Sequence, residues 1–249
     1  VQKYFLNTDK VKYYNTKTPF TSAQYVFGSK EESYVEFTHS QNINPNLNLA
    51  VDYKRPVSEG FHNHQKSGVH NFSFSQWFNA PSNRYNLLSA YVFNQVKIEE
   101  NGGLAVEDVF TNPAYAQDAS TAPVNLTTAE NKFNQHNIFL TQTFYFGPEQ
   151  SAKDSTQKKS ILPKYGLTHH FEMNSNKVWY QDDEDSSSTF YSNFYISNDT
   201  TRDFTKSNTI TNEIYFHNYS VASEDSLNTE SFKYSWSGGL RYSLNRFEQ

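Results

Sequence analysis

Two short clusters in this chain carry side chains suited to metal ligation. His62 and His64 stand two apart, with His70 nearby, and a His-x-His pair can present two imidazoles to one zinc ion. Neither a carboxylate nor a further ligand stands at a telling spacing from them, so a solvated loop is the favoured reading. Asp182, Asp183 and Asp185, with Glu184 between them, offer the hard oxygen ligands that calcium takes. They lack the regular spacing and central glycine of a calcium loop, and a solvated hairpin loop is again favoured. His169 and His170 are neighbours, so on a strand they would point to opposite faces and could not chelate together. Only His170 would share a face with Glu172. The sequence holds no Gly-x-Ser-x-Gly elbow, no His-Glu-x-x-His and no phosphate loop. The expectation is therefore a protein that is not an enzyme and uses no cofactor.

The remaining charged candidates fall on segments with a period of two, and this sets the elements that must position them. Phe232, Tyr234, Trp236, Leu240, Tyr242 and Leu244 occupy even positions, while Lys233, Ser235, Ser237, Arg241 and Ser243 lie between them. Leu47, Leu49, Val51 and Tyr53 alternate with Asn48, Ala50, Asp52 and Lys54. Phe72, Phe74 and Phe78 share a face with Gln76, and Tyr85, Leu87, Tyr91 and Phe93 share one with Ser89. Tyr165, Leu167, His169, Phe171 and Met173 alternate with His170 and Glu172; Ile210, Ile214 and Phe216 alternate with Thr211 and Glu213. Val35, Phe37 and His39 make a further strand. Segments 24–27 and 138–146 read as strands with apolar groups on both faces. A tenth strand is expected over 190–196.

The connectors alternate in length. Short turns are expected at 28–31, 42–46 and 79–84, and longer polar stretches at 55–67, 98–131 and 174–188. The segment 98–131 is too long for an ordinary connection in a compact domain. It either folds into the mouth and constricts it or remains a flexible external loop. Thr127 and Glu130 have capping-box spacing for a short helix within it.

Composition narrows the class. The chain has 249 residues, a formal charge of −5, no cysteine, 21 Phe, 18 Tyr and 3 Trp against 7 Ile, 13 Leu and 14 Val. The absence of cysteine excludes disulfide scaffolds and thiolate sites. A mild acidic balance with no basic stripe argues against nucleic acid as a partner. The aromatic content argues against disorder. No apolar run is long enough for a transmembrane helix.

Two architectures use long, alternating, antiparallel strands. A soluble sandwich turns the apolar face inward. An outer-membrane barrel turns it toward lipid and lines its interior with the polar face. Strand length, aromatics near strand ends and alternating loops favour the barrel. On that reading Asp52, Lys54, His170, Glu172, Glu213, Lys233 and Arg241 line the interior. Phe72, Phe74, Phe232, Tyr234, Trp236, Leu240 and Tyr242 face lipid.

The chain also resembles the putative porins of the Bacteroidota-type outer membrane. The resemblance rests on Tyr13-Tyr14, Thr18-Pro19-Phe20-Thr21, residues 23–28, 37–43, Asp52-Tyr53-Lys54-Arg55, Ser58-Glu59-Gly60, Asn63, Gln65 and 86–91. Further matches are 100–104, Pro123-Val124-Asn125-Leu126 and Thr201-Arg202-Asp203. Their order and spacing match over roughly residues 10–215. The resemblance implies an all-β, antiparallel transmembrane barrel in the cell outer membrane. It also implies passive diffusion of small polar solutes or ions. The family's members are longer, so 1–249 would be one barrel domain, incomplete at both ends. The implied partners are outer-membrane lipid, lipopolysaccharide, small solutes and possible further outer-membrane subunits. The alternatives are a plugged barrel serving as a structural subunit of a secretion or uptake complex, and a soluble sandwich that binds glycan.

Overall fold

A computed structural model describes residues 4–109, 111–115, 118–149, 163–183, 189–191, 201–218 and 236–248. The chain is all-β and meanders. Nine strands form one antiparallel sheet in which every strand pairs with the next: β1 (Phe20–Phe27), β2 (Ser33–Asn44), β3 (Leu47–Ser58), β4 (Ser67–Asn79), β5 (Tyr85–Glu99), β6 (Glu130–Glu149), β7 (Pro163–Asp182), β8 (Thr201–Asn218) and β9 (Trp236–Glu248). The sheet is open, with β1 and β9 as its edges. No described helix is long and apolar enough to cross a membrane, which says nothing about strands.

The two-residue period carries through the whole sheet. Across β2 to β9, Thr38, Asp52, Ser73, Val92, Asn137, Asn174, Thr209 and Asn245 stand directly opposite one another in one row. One residue further along each strand, His39, Val51, Phe74, Tyr91, Ile138, Met173, Ile210 and Leu244 form the matching row on the other face. One face is thus polar and the other apolar and aromatic, because successive side chains leave a strand on opposite sides.

The strands are longer than the alternation alone indicated. The stretch 55–67 loses Arg55 to Ser58 to β3, and 174–182, expected as loop, is the second half of β7. Polar residues on both faces hid that half, yet Asn174 to Asp182 pair with Thr201 to Thr209 without a break. No helix starts at Thr127, because Glu130 opens β6 instead. The described part of the expected tenth strand, Phe190 and Tyr191, belongs to the single 3-10 turn Thr189–Tyr191. Residues 192–196 lie outside the described residues, as do Phe232, Lys233, Tyr234 and Asp185 and the side chain of Trp236.

The loops separate by end. Turns 45–46 and 80–84 lie at one end of the sheet. Turn 28–32 lies at the other, together with 59–66 and the long segment 100–129. The end with the long segment is called the loop end below.

Candidate functional site

The polar face is where side chains of functional type converge. Asp52, Lys54, His170, Glu172, Glu213 and Arg241 all stand on it, as their register requires. Each is engaged. Asp52 accepts from Thr38 Oγ1 at 2.7 Å and from Tyr14 Oη at 3.3 Å. Lys54 Nζ lies 3.0 Å from Glu36. Asn137 Nδ2 donates to Glu172 at 2.6 Å, and His170 Nε2 lies 3.9 Å from the same carboxylate. Arg241 Nε pairs with Glu213 at 3.0 Å, and Tyr215 donates to Glu213. Gly239 makes that last contact possible. A Cβ there would stand 2.5 Å from the Tyr215 ring and 2.4 Å from the Ile214 carbonyl.

Sequence reasoning missed the segment that covers this face. Residues 4–17 run obliquely over it, from the loop end toward the short-turn end. Phe5 is buried, stacks on Phe133 at 4.4 Å between ring centroids and packs with Val69 and Val96. Val11 packs with Ala90, Val92 and Phe139, and Tyr13 meets the Phe139 ring edge-on. Asn94 brackets Leu6: its Oδ1 accepts from the Leu6 amide at 3.0 Å and its Nδ2 donates to the Leu6 carbonyl at 3.1 Å. Ser75 Oγ donates to the Lys12 carbonyl, and the Thr16 amide donates to Asn42. Burial of Tyr14 on the sheet, with the Asp52 carboxylate beside it, pushes its hydroxyl up to about 12. A signal did exist: Ala90, Val92, Val96, Phe133 and Phe139 are apolar residues at polar-face positions. Phe139, packed under Val11 and Tyr13, accounts for one of the apolar groups on the polar face of 138–146.

The aromatic face carries the expected lipid-facing candidates. Phe72, Phe74, Leu240 and Tyr242 all stand on it; Leu240 is 82% and Tyr242 64% exposed. Phe37, Tyr53, Phe72 and Phe93 form one row on β2–β5, and Tyr85, Phe144, Leu167 and Phe216 another on β5–β8. Phe93 and Tyr85 are eight residues apart on β5, about 27 Å of strand. Polar groups between the rows satisfy one another. Tyr85 donates to Gln142 at 3.1 Å, Gln142 Nε2 lies 3.0 Å from His169 Nδ1, and His169 Nε2 lies 3.4 Å from Asn212. His169 and His170 do take opposite faces.

At the loop end the long segment is folded. Val109, Ala122, Leu126 and Ala129 are buried. Leu104 bridges to Val124, and Gly102, at φ +64°, leaves room for Leu126 and the Phe190 ring. His62 Nδ1 donates to the Ala119 carbonyl at 3.1 Å and His64 Nε2 to the Ala129 carbonyl at 2.7 Å. Asp182 is buried and accepts from Thr128 and Tyr191, each at 2.6 Å. Asp183 accepts from Gln181. Three of the weak metal candidates, His62, His64 and Asp182, thus hold loops together, and no group of three or more possible ligands assembles among the described residues.

The fold and its faces define an all-β, strand-spanning protein with one polar and one aromatic surface. The chain belongs to the putative porin family, whose profile matches residues 1–248. No curated protein and no solved structure matches it. Membership of that family supports an outer-membrane, porin-like role in general terms.

Proposed function

We propose that the nine strands form the wall, or a sector of the wall, of an outer-membrane barrel through which small polar solutes or ions diffuse. The aromatic face lies in lipid, where strand pairing satisfies the backbone as hydrocarbon demands. The polar face lines the path. The carrying observation is the single row from Thr38 to Asn245, in which seven of eight opposed residues are polar. Paired charges elsewhere on the same face, Lys54 with Glu36 and Arg241 with Glu213, would leave a path of sparse net charge.

A second reading is favoured by a separate observation. Residues 4–17 pack on the lining face through buried Phe5 and Val11 rather than standing free of it, which fits a plugged barrel acting as a subunit of a larger assembly. Planar-bilayer recording of the purified chain separates the two. Steady conductance, with swelling of liposomes in small sugars, supports diffusion. Insertion without conductance, together with stable copurification of other outer-membrane subunits, supports the plug. Extraction as a monodisperse folded protein without detergent overturns both.

A further inference from the structure

Two pairs of lysines face each other directly on the aromatic side of the sheet, at its loop end. Lys97 stands opposite Lys132, and Lys177 stands opposite Lys206. Like charges placed this way across two strands are destabilising. Glu130 answers the first pair, accepting from both lysines. The second pair is answered only through Lys206, whose Nζ lies 3.4 Å from Glu248, and Glu248 is shared with Arg246 at 3.0 Å. No described carboxylate pairs with Lys177, which instead lies over the Trp179 ring at 5.1 Å. Five cations therefore have Glu130 and Glu248 as ion-pair partners, with Glu99 standing opposite Glu130 on the same face and 3.7 Å from His64.

Their height on the strands gives the chemistry of the missing anion. Met173, in the apolar row, is four residues from Lys177, about 14 Å along β7. The residues between, His136, Ser175 and Asn208, are polar. Trp179 and Phe204 stand opposite each other one step beyond Lys177 and Lys206, and Trp179 stands opposite Lys132, so these rings are level with the Lys97–Lys132 row. A surface that is apolar, then polar, then cationic with interleaved aromatics matches a lipid with acyl chains below and phosphate above. β6 and β7, at twenty residues each, are long enough to carry it past a ~9–11-residue crossing.

We propose that Lys97, Lys132, Lys177, Lys206 and Arg246 dock the phosphates of a phosphorylated lipid in the leaflet at the loop end. The inference rests on the reading that the aromatic face lies in lipid. An external phosphate between Lys177 and Lys206 converts a repulsion into two charge-assisted contacts, while Lys97 and Lys132, already bridged by Glu130, add positive potential beside it.

The test uses the full chain in dodecyl maltoside, titrated with diphosphoryl lipid A and, separately, with its dephosphorylated form, followed by native mass spectrometry. The wild type should prefer the phosphorylated lipid. Lys177→Gln with Lys206→Gln should weaken that binding by about tenfold or more, at ~1 kcal/mol per cation, and leave the phosphate-free lipid unaffected. Lys10→Gln with Lys17→Gln, equal in charge change but on the N-terminal segment, should behave as wild type. Equal binding of both lipids by the wild type, or unchanged selectivity in the 177/206 variant, overturns the proposal. Flotation with phosphatidylcholine liposomes, without lipid A, reads the underlying assumption by itself. A chain that does not float overturns both readings, and one that floats without phosphate selectivity overturns only this one.

Discussion

Asn94 does at one position what a neighbouring strand does along its length. Its amide offers one acceptor and one donor to the backbone of Leu6, and it also accepts from Asn71 at 2.6 Å and donates to Gln135 at 2.7 Å. Asn94→Ala removes all four and leaves buried partners unsatisfied, a loss of about 1–3 kcal/mol. Urea unfolding in detergent should show it, along with faster proteolysis within 4–17. Gly239→Val places side-chain atoms where the Tyr215 ring and the Ile214 carbonyl stand. The expected result is a displaced Tyr215, a freed Glu213 and altered ion preference, read as a shift in reversal potential under a salt gradient. Leu240→Arg tests the other face. If Leu240 lies near mid-bilayer, the substitution should cost ~2–4 kcal/mol in folding measured in lipid vesicles. Little change there would argue against lipid on that face. The charged candidates were legible in the sequence because each stands at a fixed parity within an alternating run. Their partners were not. Asn137 to Glu172 and Arg241 to Glu213 cross between strands, and only register brings them together.

On the proposed function, two elements bear on how open the path is. The apolar residues of segment 4–17, Phe5, Leu6, Val11 and Tyr13, keep no period in the sequence. They need none, since they fill a patch of the sheet rather than pair with a strand. Removing 4–17 from the full chain should raise single-channel conductance several-fold if the segment lies in the path. Equal conductance would place the solute route elsewhere. The segment 100–129 is different in kind. Its buried Leu126 and Val109, and its ties to His62, His64 and Asp182, make it a folded cover at the loop end. Deleting 104–123 should change conductance if that cover narrows the mouth, and unchanged conductance removes the constriction hypothesis. The same ties account for the histidines and aspartates that resembled metal ligands. Loop-closing hydrogen bonds and metal sites draw on the same residue types, and spacing along the chain cannot separate them.

For the molecule as a whole, membership of the putative porin family and the two-faced sheet predict heat-modifiable migration in gels and cofractionation with outer membranes. A protein found in the soluble fraction, with no mobility change on boiling, would contradict both. The sequence by itself determined that this chain is built from antiparallel strands with one aromatic and one polar face. Strand geometry sends alternate side chains to opposite sides, so the pattern is written residue by residue. It also held the family resemblance, in short motifs kept in order. The tertiary structure alone decided three things. Register set which charges pair and which lysines face one another. Packing set where the apolar residues of the polar face are covered, and by which segment. The reach of polar strands such as the second half of β7 was settled by backbone pairing with β8, which leaves no mark in hydropathy because amide and carbonyl groups are the same at every position.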